Sequence, residues 1–271
     1  MLSPSVEMKI KKISLRKKSV KVTEELVATE IPINIYVNGQ HLVTLFSLPT
    51  QLKELGVGWV LSQAIVKSIS GITDVEVREN NVKISCSCKA EARTKAAGIM
   101  KVVDSSCGST IEDFLFLIDR MIKPFVNSDY RVRAETILRF VKVLNEKSTL
   151  FKLTGGTHSA AIFHEEKLIA FAEDVGRHNA VDKVIGASAE KKVDFSKCAI
   201  ASSGRQPANM VLKAARVGIP IVASIAAPIA SGVDAALKTG VTLICFVRGQ
   251  RMNVYSSPER VKMTQVPSKT N

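Results

Sequence analysis

Early in the chain, apolar and polar positions alternate with a period of two. Ile31-Pro32-Ile33-Asn34-Ile35-Tyr36-Val37 shows it, Asn38-Gly39 interrupts it, and His41-Leu42-Val43-Thr44-Leu45-Phe46 resumes it. Alternation marks a half-buried strand, and Asn-Gly between two such runs is the strongest short hairpin signal. Over residues 49–67 the spacing turns helical, with Leu52, Leu55, Trp59, Val60 and Ile65 near core positions. Two more alternating runs, 72–78 and 82–88, flank Asn80-Asn81. The pattern predicts a small α+β unit. A helix is predicted over 111–125, opened by Thr110 and Asp113 as in a capping box. A second, over 130–147, is predicted to pack against it and link the two parts.

From residue 150 apolar strands alternate with helical stretches, as in βαβ units around a parallel or mixed sheet. Strands are predicted at 161–163, 168–172, 198–201, 219–225 and 241–247, and helices at 208–217 and up to Thr239. The division is a basic lead-in (1–20), a small α+β domain (21–105), a cysteine loop with linking helices (106–149), an α/β domain (150–257) and a tail (258–271).

The densest polar chemistry follows the apolar run Leu168-Ile169-Ala170-Phe171-Ala172. It reads Glu173-Asp174-Val175-Gly176-Arg177-His178-Asn179-Ala180-Val181-Asp182-Lys183-Val184-Ile185-Gly186. This is a strand feeding a helix. A helix starting near Asp174, capped by that carboxylate, places Val181, Val184 and Ile185 on an apolar stripe. His178 then shares a face with Asp174 and Asp182, each four residues away. The plain alternative is a surface helix with a salt-bridged polar side. Polar groups at the carboxyl end of a strand in an open α/β sheet lie where ligands bind, which favours a site.

The net charge of +13 changes the picture by pointing to an anionic ligand. Part of it lies in the ends, 9–21 and 260–269, read as solvated tails. Aromatic residues are 5% of the chain and do not alternate with the basic ones, which argues against a single-strand nucleic-acid surface. Three predicted strand ends carry Gly with Ser or Arg before a turn or helix, a pattern that offers backbone N–H groups and guanidinium to phosphates. No Walker loop and no complete dinucleotide fingerprint is present. No apolar run reaches the ~18 residues of a membrane span, and residues 1–20 lack a signal-peptide core. A cytoplasmic protein is expected.

Five irregularly spaced cysteines, Cys86, Cys88, Cys107, Cys198 and Cys245, argue against a disulfide framework. Cys86 and Cys88 fall on one face of a predicted strand, but no second pair completes a four-ligand zinc site, and no zinc is expected. Cys107 lies in the small-residue loop Ser105-Ser106-Cys107-Gly108-Ser109-Thr110, just before a predicted helix N-terminus, where a thiolate is favoured. Glu112 and Asp113 partly oppose that effect.

The stretch from Glu173 to Gly186 resembles the signature of the FdhD family of formate dehydrogenase accessory proteins. Thr154-Gly155-Gly156-Thr157-His158, Ser202-Ser203-Gly204-Arg205, Pro220-Ile221-Val222-Ala223-Ser224 and the Phe246 to Arg251 end add to the likeness, which runs from the first hairpin to about Tyr255. The resemblance implies a cytidine-deaminase-like three-layer α/β domain with a smaller α+β domain before it. It implies a sulfurtransferase that takes sulfur from a cysteine desulfurase as a cysteine persulfide. The sulfur then passes to the molybdenum or tungsten bis-guanine-dinucleotide cofactor before that enters the formate dehydrogenase catalytic subunit. The family's Cys-Gly-x-Cys-Gly loop reads here Cys107-Gly108-Ser109-Thr110-Ile111, so the first thiol, Cys107, keeps the carrier role and Thr110 replaces the second. A relay thiol would have to be Cys86 or Cys88. The family's Leu-x-Glu-Gly is replaced by Leu61-Ser62-Gln63-Ala64. Its guanine-dinucleotide contacts match Phe246, Val247, Arg248, Gly249, Gln250 and Arg251, with His178, Gly204 and Arg205 as further candidates, and Asp174 and His158 around the same crevice. A homodimer fits deaminase-like sheets. A zinc deaminase is excluded by its ligands, since no Pro-Cys-x-x-Cys exists here. The competing readings are a cofactor-holding chaperone without sulfur transfer, favoured by Thr110, and a nucleic-acid binder, which rests on charge alone.

Overall fold

Asn38 and Gly39 both have positive φ, 48° and 81°, the geometry a tight hairpin needs, and they join β3 (Ile31–Val37) to β4 (Gln40–Ser47). The computed structural model describes residues 2–87 and 124–263. After β4 come α1 (Leu52–Ser62), β5 (Ile72–Arg78) and β6 (Asn81–Cys86). They complete a mixed four-stranded sheet in the order β4-β3-β6-β5. Ahead of it lies an antiparallel ribbon, β1 (Ser5–Ser14) with β2 (Ser19–Ala28). The basic stretch 9–21, expected to be a solvated tail, is therefore regular β structure. Charge masked a strand pattern of Ile10, Ile13, Val20 and Val22.

After a two-residue strand β7 (Val132–Arg133) come α2 (Ala134–Lys147) and the short α3 (Thr149–Thr154), which ends on Gly155 at φ 66°. The second sheet has six strands: β8 (His158–His164), β9 (Lys167–Asp174), β10 (Cys198–Ser202), β11 (Ile221–Ser224), β12 (Thr242–Arg248) and β13 (Arg251–Val254). Their spatial order is β13-β12-β11-β10-β8-β9. β10, β11 and β12 are parallel; β8, β9 and β13 run against their neighbours. The helices between are α4 (Arg177–Glu190), α5 (Ala208–Val217) and α6 (Ala230–Thr239). A short β14 (Val261–Lys262) returns to pair with β7.

Helices cover both faces of this sheet. On β10, Ala199 and Ala201 turn toward α2, with Phe140 stacked on Phe163 at 4.1 Å. Cys198 and Ile200 turn the other way, into an apolar cluster that runs through α4, α5 and α1 to Ile33, Ile35 and Val82 of the four-stranded sheet. The joint between the two parts is the crossing of α1 on α4. A Cβ at Gly58 would stand 1.7 Å from the Asp182 carbonyl oxygen, and one at Gly186 2.0 Å from that of Glu54. Only glycine lets the two backbones approach this closely.

The basic C-terminal end also differs from expectation at Arg260. Its buried guanidinium donates to the carbonyls of Val126 and Gly240, and its Nε to that of Ser128. Five fixed donors suit Arg to closing orphan carbonyls such as the one after α6. No described helix is long and apolar enough to cross a membrane.

Candidate functional site at the carboxyl edge of the six-stranded sheet

The stretch after β9 does two jobs, and the structure separates them. Asp174 is the last residue of β9, and α4 starts at Arg177 behind Gly176. The expected helix start at Asp174 is thus three residues early, because the carboxylate is engaged elsewhere. It accepts from Ser47 Oγ (2.6 Å), the Leu48 N–H (3.2 Å), the Gly176 N–H (2.9 Å) and Asn179 Nδ2 (2.9 Å), and it pairs with Lys183 Nζ at 2.6 Å. Asp174 and Lys183 are both fully buried. Burial lowers the Lys183 pKa, with Asp174 opposing the shift. Within α4, Asp182 accepts from Ser62 Oγ (2.6 Å) and takes both oxygens to Lys213 Nζ at 2.8 Å. These acids tie β4 and α1 to α4 and α5. Neither accepts a hydrogen bond from His178, so the shared polar face read from the spacing is a set of buried ties instead. Lys213, central to them, escaped the sequence reading. Its signal was a lysine between Leu212 and Ala214 inside an apolar helix face.

The second job falls to Arg177 and His178, which begin α4 at the sheet's edge. His158 opens β8 opposite Asp174, and its Nδ1 lies 3.3 Å from Ser203 Oγ, which also accepts from the Ser159 N–H at 2.9 Å. Gly204 follows, with Arg177 packed so close that a Cβ there would meet the Arg177 Cβ at 2.8 Å. The Gly204 carbonyl accepts from Ser224 Oγ at the end of β11 (2.7 Å), and the Phe246 N–H donates to the Ala226 carbonyl (3.1 Å). The ends of β10, β11 and β12 are thereby stitched into one rim. Burial first, then Arg177 and Arg205, hold the His158 imidazole below its usual pKa. Burial, Lys213, Arg177 and His158 push His178 well below it. In both, burial and the neighbouring cations disfavour the protonated imidazole.

At the far end of this rim β12 bulges between Cys245 and Arg248. Phe246 sits at φ 54°, left-handed backbone that a bulky residue rarely adopts. The Arg248 guanidinium lies 5.3 Å from its ring centroid. Gly249, at φ 61°, then turns the chain in two residues to Arg251. Arg248, Gly249, Gln250 and Arg251 are exposed. Val247 differs, since its side chain is buried against the α2 layer and only its backbone can reach a ligand.

The sequence-predicted residues fall into three groups. His178, Gly204 and Arg205 stand with His158 and Arg177 at the ends of β8, β9 and β10, and the 246–251 segment stands at the end of β12 on the same edge. Cys107 and Thr110 lie outside the described residues, as does Cys88. Cys86, Cys198 and Cys245 are buried; burial raises the first thiol and pushes the other two up to about 12. Such thiols are poor nucleophiles.

Residues 28–262 match the FdhD/NarQ family. The chain belongs to this family. The sulfur carrier protein FdhD of Methanothermobacter thermautotrophicus is 38% identical over 239 residues, covering 88% of this chain and 92% of that protein. That of Listeria innocua is 34% identical over 241 residues, with 88% and 92% covered. Among solved structures, a Desulfotalea psychrophila protein described as a formate dehydrogenase accessory protein superposes with a TM-score of 0.79 at 27% identity, covering 96% of this chain and all of that one. FdhD/NarQ membership accounts for the sequence resemblance at the 173–186 stretch. In this member, much of that stretch holds the two sheets together.

Proposed function

We propose that this chain is a sulfur carrier that serves formate dehydrogenase, accepting sulfur from a cysteine desulfurase on Cys107 and passing it to a molybdenum or tungsten bis-guanine-dinucleotide cofactor. The names of its relatives support sulfur carriage and the accessory role. The single observation that carries the cofactor part is the arginine-flanked rim at the carboxyl ends of β10 to β12, closed by the strained Phe246 and its neighbouring hairpin. Arg177, Arg205, Arg248 and Arg251 would face the diphosphates of the cargo, since guanidinium pairs with phosphate oxygens in a bidentate fork. The backbone around Gly249 and Gly204 would allow close approach. The layered α/β domain on this reading is of the cytidine-deaminase kind.

Cys107 is the favoured carrier because the buried thiols of Cys86, Cys198 and Cys245 are held protonated. Its thiolate attacks the outer sulfur of the desulfurase persulfide. The new S–S bond forms as the old one breaks, and the desulfurase thiolate leaves, without net oxidation or reduction. A relay through Cys86 is disfavoured by its burial in the core. Thr110, standing where the family has a second thiol, is the observation that favours the other reading, a chaperone that holds the dinucleotide without carrying sulfur.

Peptide mass spectrometry after incubation with a cysteine desulfurase and cysteine separates the two. One added sulfur on the Cys107 peptide, removed by reductant and absent in Cys107→Ser, is the expected result. Guanosine diphosphate binding with no sulfur on Cys107, beside an active desulfurase control, leaves only the chaperone.

A further inference from the structure

Ser203 is pinned twice to the end of β8. Its N–H donates to the Ser159 carbonyl (3.0 Å) and its Oγ accepts from the Ser159 N–H (2.9 Å), so backbone and side chain are fixed together. The next residue is held as firmly. The Gly204 N–H donates to Ser202 Oγ (3.2 Å), and the Gly204 carbonyl accepts from Gln206 Nε2 (2.9 Å) and Ser224 Oγ (2.7 Å).

The hydroxyl proton of Ser203 then has one place to go. A serine hydroxyl has one proton and two lone pairs, and one lone pair takes the Ser159 N–H. Among the described residues, the one other side-chain group within hydrogen-bond reach of Oγ is His158 Nδ1, at 3.3 Å. With a proton on Nδ1, two N–H groups would converge on Oγ and the hydroxyl proton would meet no protein acceptor. With Nδ1 bare, the hydroxyl donates to it and every group is satisfied. The proton of the neutral ring therefore sits on Nε2, since the hydrogen bond at one ring nitrogen sets what the other carries. No described residue hydrogen-bonds Nε2, and His158 is half-buried rather than enclosed. Arg177 and Arg205 act on the same ring, with Asp174 opposing them. An N–H donor beside two guanidinium groups suits a phosphate oxygen.

We propose that Ser203 is a positioning residue that holds His158 as the Nε2–H tautomer, and that this N–H donates to a phosphate oxygen of a nucleoside diphosphate group at the rim. The first half rests on the hydrogen bonds alone, the second on the dinucleotide reading given above.

Nitrogen-15 spectra of the full chain at about pH 7.5, where an unprotonated ring is expected, test the first half without a ligand. The chain has four histidines, and the signals lost in His158→Gln identify His158. A single Nε2–H tautomer with a hydrogen-bonded Nδ1 is expected. In Ser203→Ala the Nδ1 signal should move to that of an unbonded ring nitrogen, and Ser203→Thr, which keeps the hydroxyl, should return it. Unmoved signals of His41 and His164 report that each variant is folded.

Calorimetry with guanosine diphosphate tests the second half. A glutamine amide reaches as far as Nε2, an asparagine amide only as far as Nδ1. His158→Gln should stay within roughly threefold of the unmodified affinity, while His158→Asn loses at least about tenfold. An Nδ1–H tautomer in the unmodified protein, or an Nδ1 signal indifferent to Ser203→Ala, would overturn the positioning role. Equal affinities in the Gln and Asn variants would overturn the donor role alone. No guanosine diphosphate binding by the unmodified protein would overturn that role together with the dinucleotide reading. No sulfur on Cys107, beside the expected spectra and affinities, would count against sulfur carriage only.

Discussion

Two residues hold left-handed backbone for different reasons. Ala64 sits at φ 54°, just past the end of α1, where the family's Leu-x-Glu-Gly has glycine. Left-handed geometry costs a residue with a Cβ roughly 1–2 kcal/mol, partly offset by glycine's greater freedom when unfolded. Ala64→Gly is expected to raise unfolding stability by up to about 1 kcal/mol, read from the urea midpoint; an unchanged or lowered midpoint would show that the Ala64 methyl is worth more than its strain. Phe246 has the same φ, at the rim rather than at a helix end. Strain of about 1–3 kcal/mol persists at functional positions because surrounding structure enforces it. Phe246→Gly should therefore lose far less stability than the ~3–5 kcal/mol typical of a core Phe truncation, while guanosine diphosphate binding by calorimetry falls sharply. A core-sized loss of stability with binding intact would make Phe246 a packing residue. Neither strain was visible in the pattern of residue types, though the departure from the family's glycine at Ala64 marked where to look.

Between elements, the decisive contact is α1 on α4. Apolar spacing in the sequence predicted α1, and the strand-to-helix text predicted α4, but their crossing depends on two glycines 128 positions apart, Gly58 and Gly186. Gly58→Ala places a methyl inside the Asp182 carbonyl, so the helices must separate and with them the Ser62–Asp182–Lys213 network. A buried ion pair that loses a partner costs ~3–5 kcal/mol. Gly58→Ala is expected to lower the melting temperature by many degrees or abolish soluble folding, whereas Gly39→Asn, at a turn with open space and tolerated left-handed backbone, should be nearly silent. Equal melting temperatures for the two variants would refute the close crossing. Spacing arguments see one helix at a time, which is why Asp174 and Asp182 read as a polar face shared with His178 when they are ties between elements.

For the molecule as a whole, the cation-rich rim sets an acid limit. His158 and His178 titrate below the usual histidine value because burial and the neighbouring Arg177, Arg205 and Lys213 disfavour a further positive charge. Depressed folded-state values mean that the unfolded chain takes up these protons first. Their contribution is nil above about pH 7, and stability falls as pH drops below ~6.5, by up to about 1.4 kcal/mol per histidine per pH unit. The urea midpoint should drop between pH 7.5 and 5.5, and His178→Gln should shrink that drop. An identical drop in the variant would place the acid sensitivity elsewhere.

The sequence by itself determined the local elements. Asn38-Gly39 fixed a hairpin, the apolar runs fixed β8 to β12, and α5 falls at residues 208–217 as its periodicity requires. It determined the family as well, because the clustered polar residues at 173–186 cannot be scattered without losing both the ties and the rim. Tertiary structure alone decided which of those polar residues are buried and which face the edge. Asp174, Asp182, Lys183 and Lys213 become structural because their partners, Ser47, Leu48 and Ser62, come from a distant part of the chain. Arg177 and His178 stand at the sheet's edge with Ser203 and Gly204 because β8 lies beside β9 and β10 beside β8 in space. The basic lead-in became a ribbon for the same reason: one strand pairs with another only once the chain has turned back on itself.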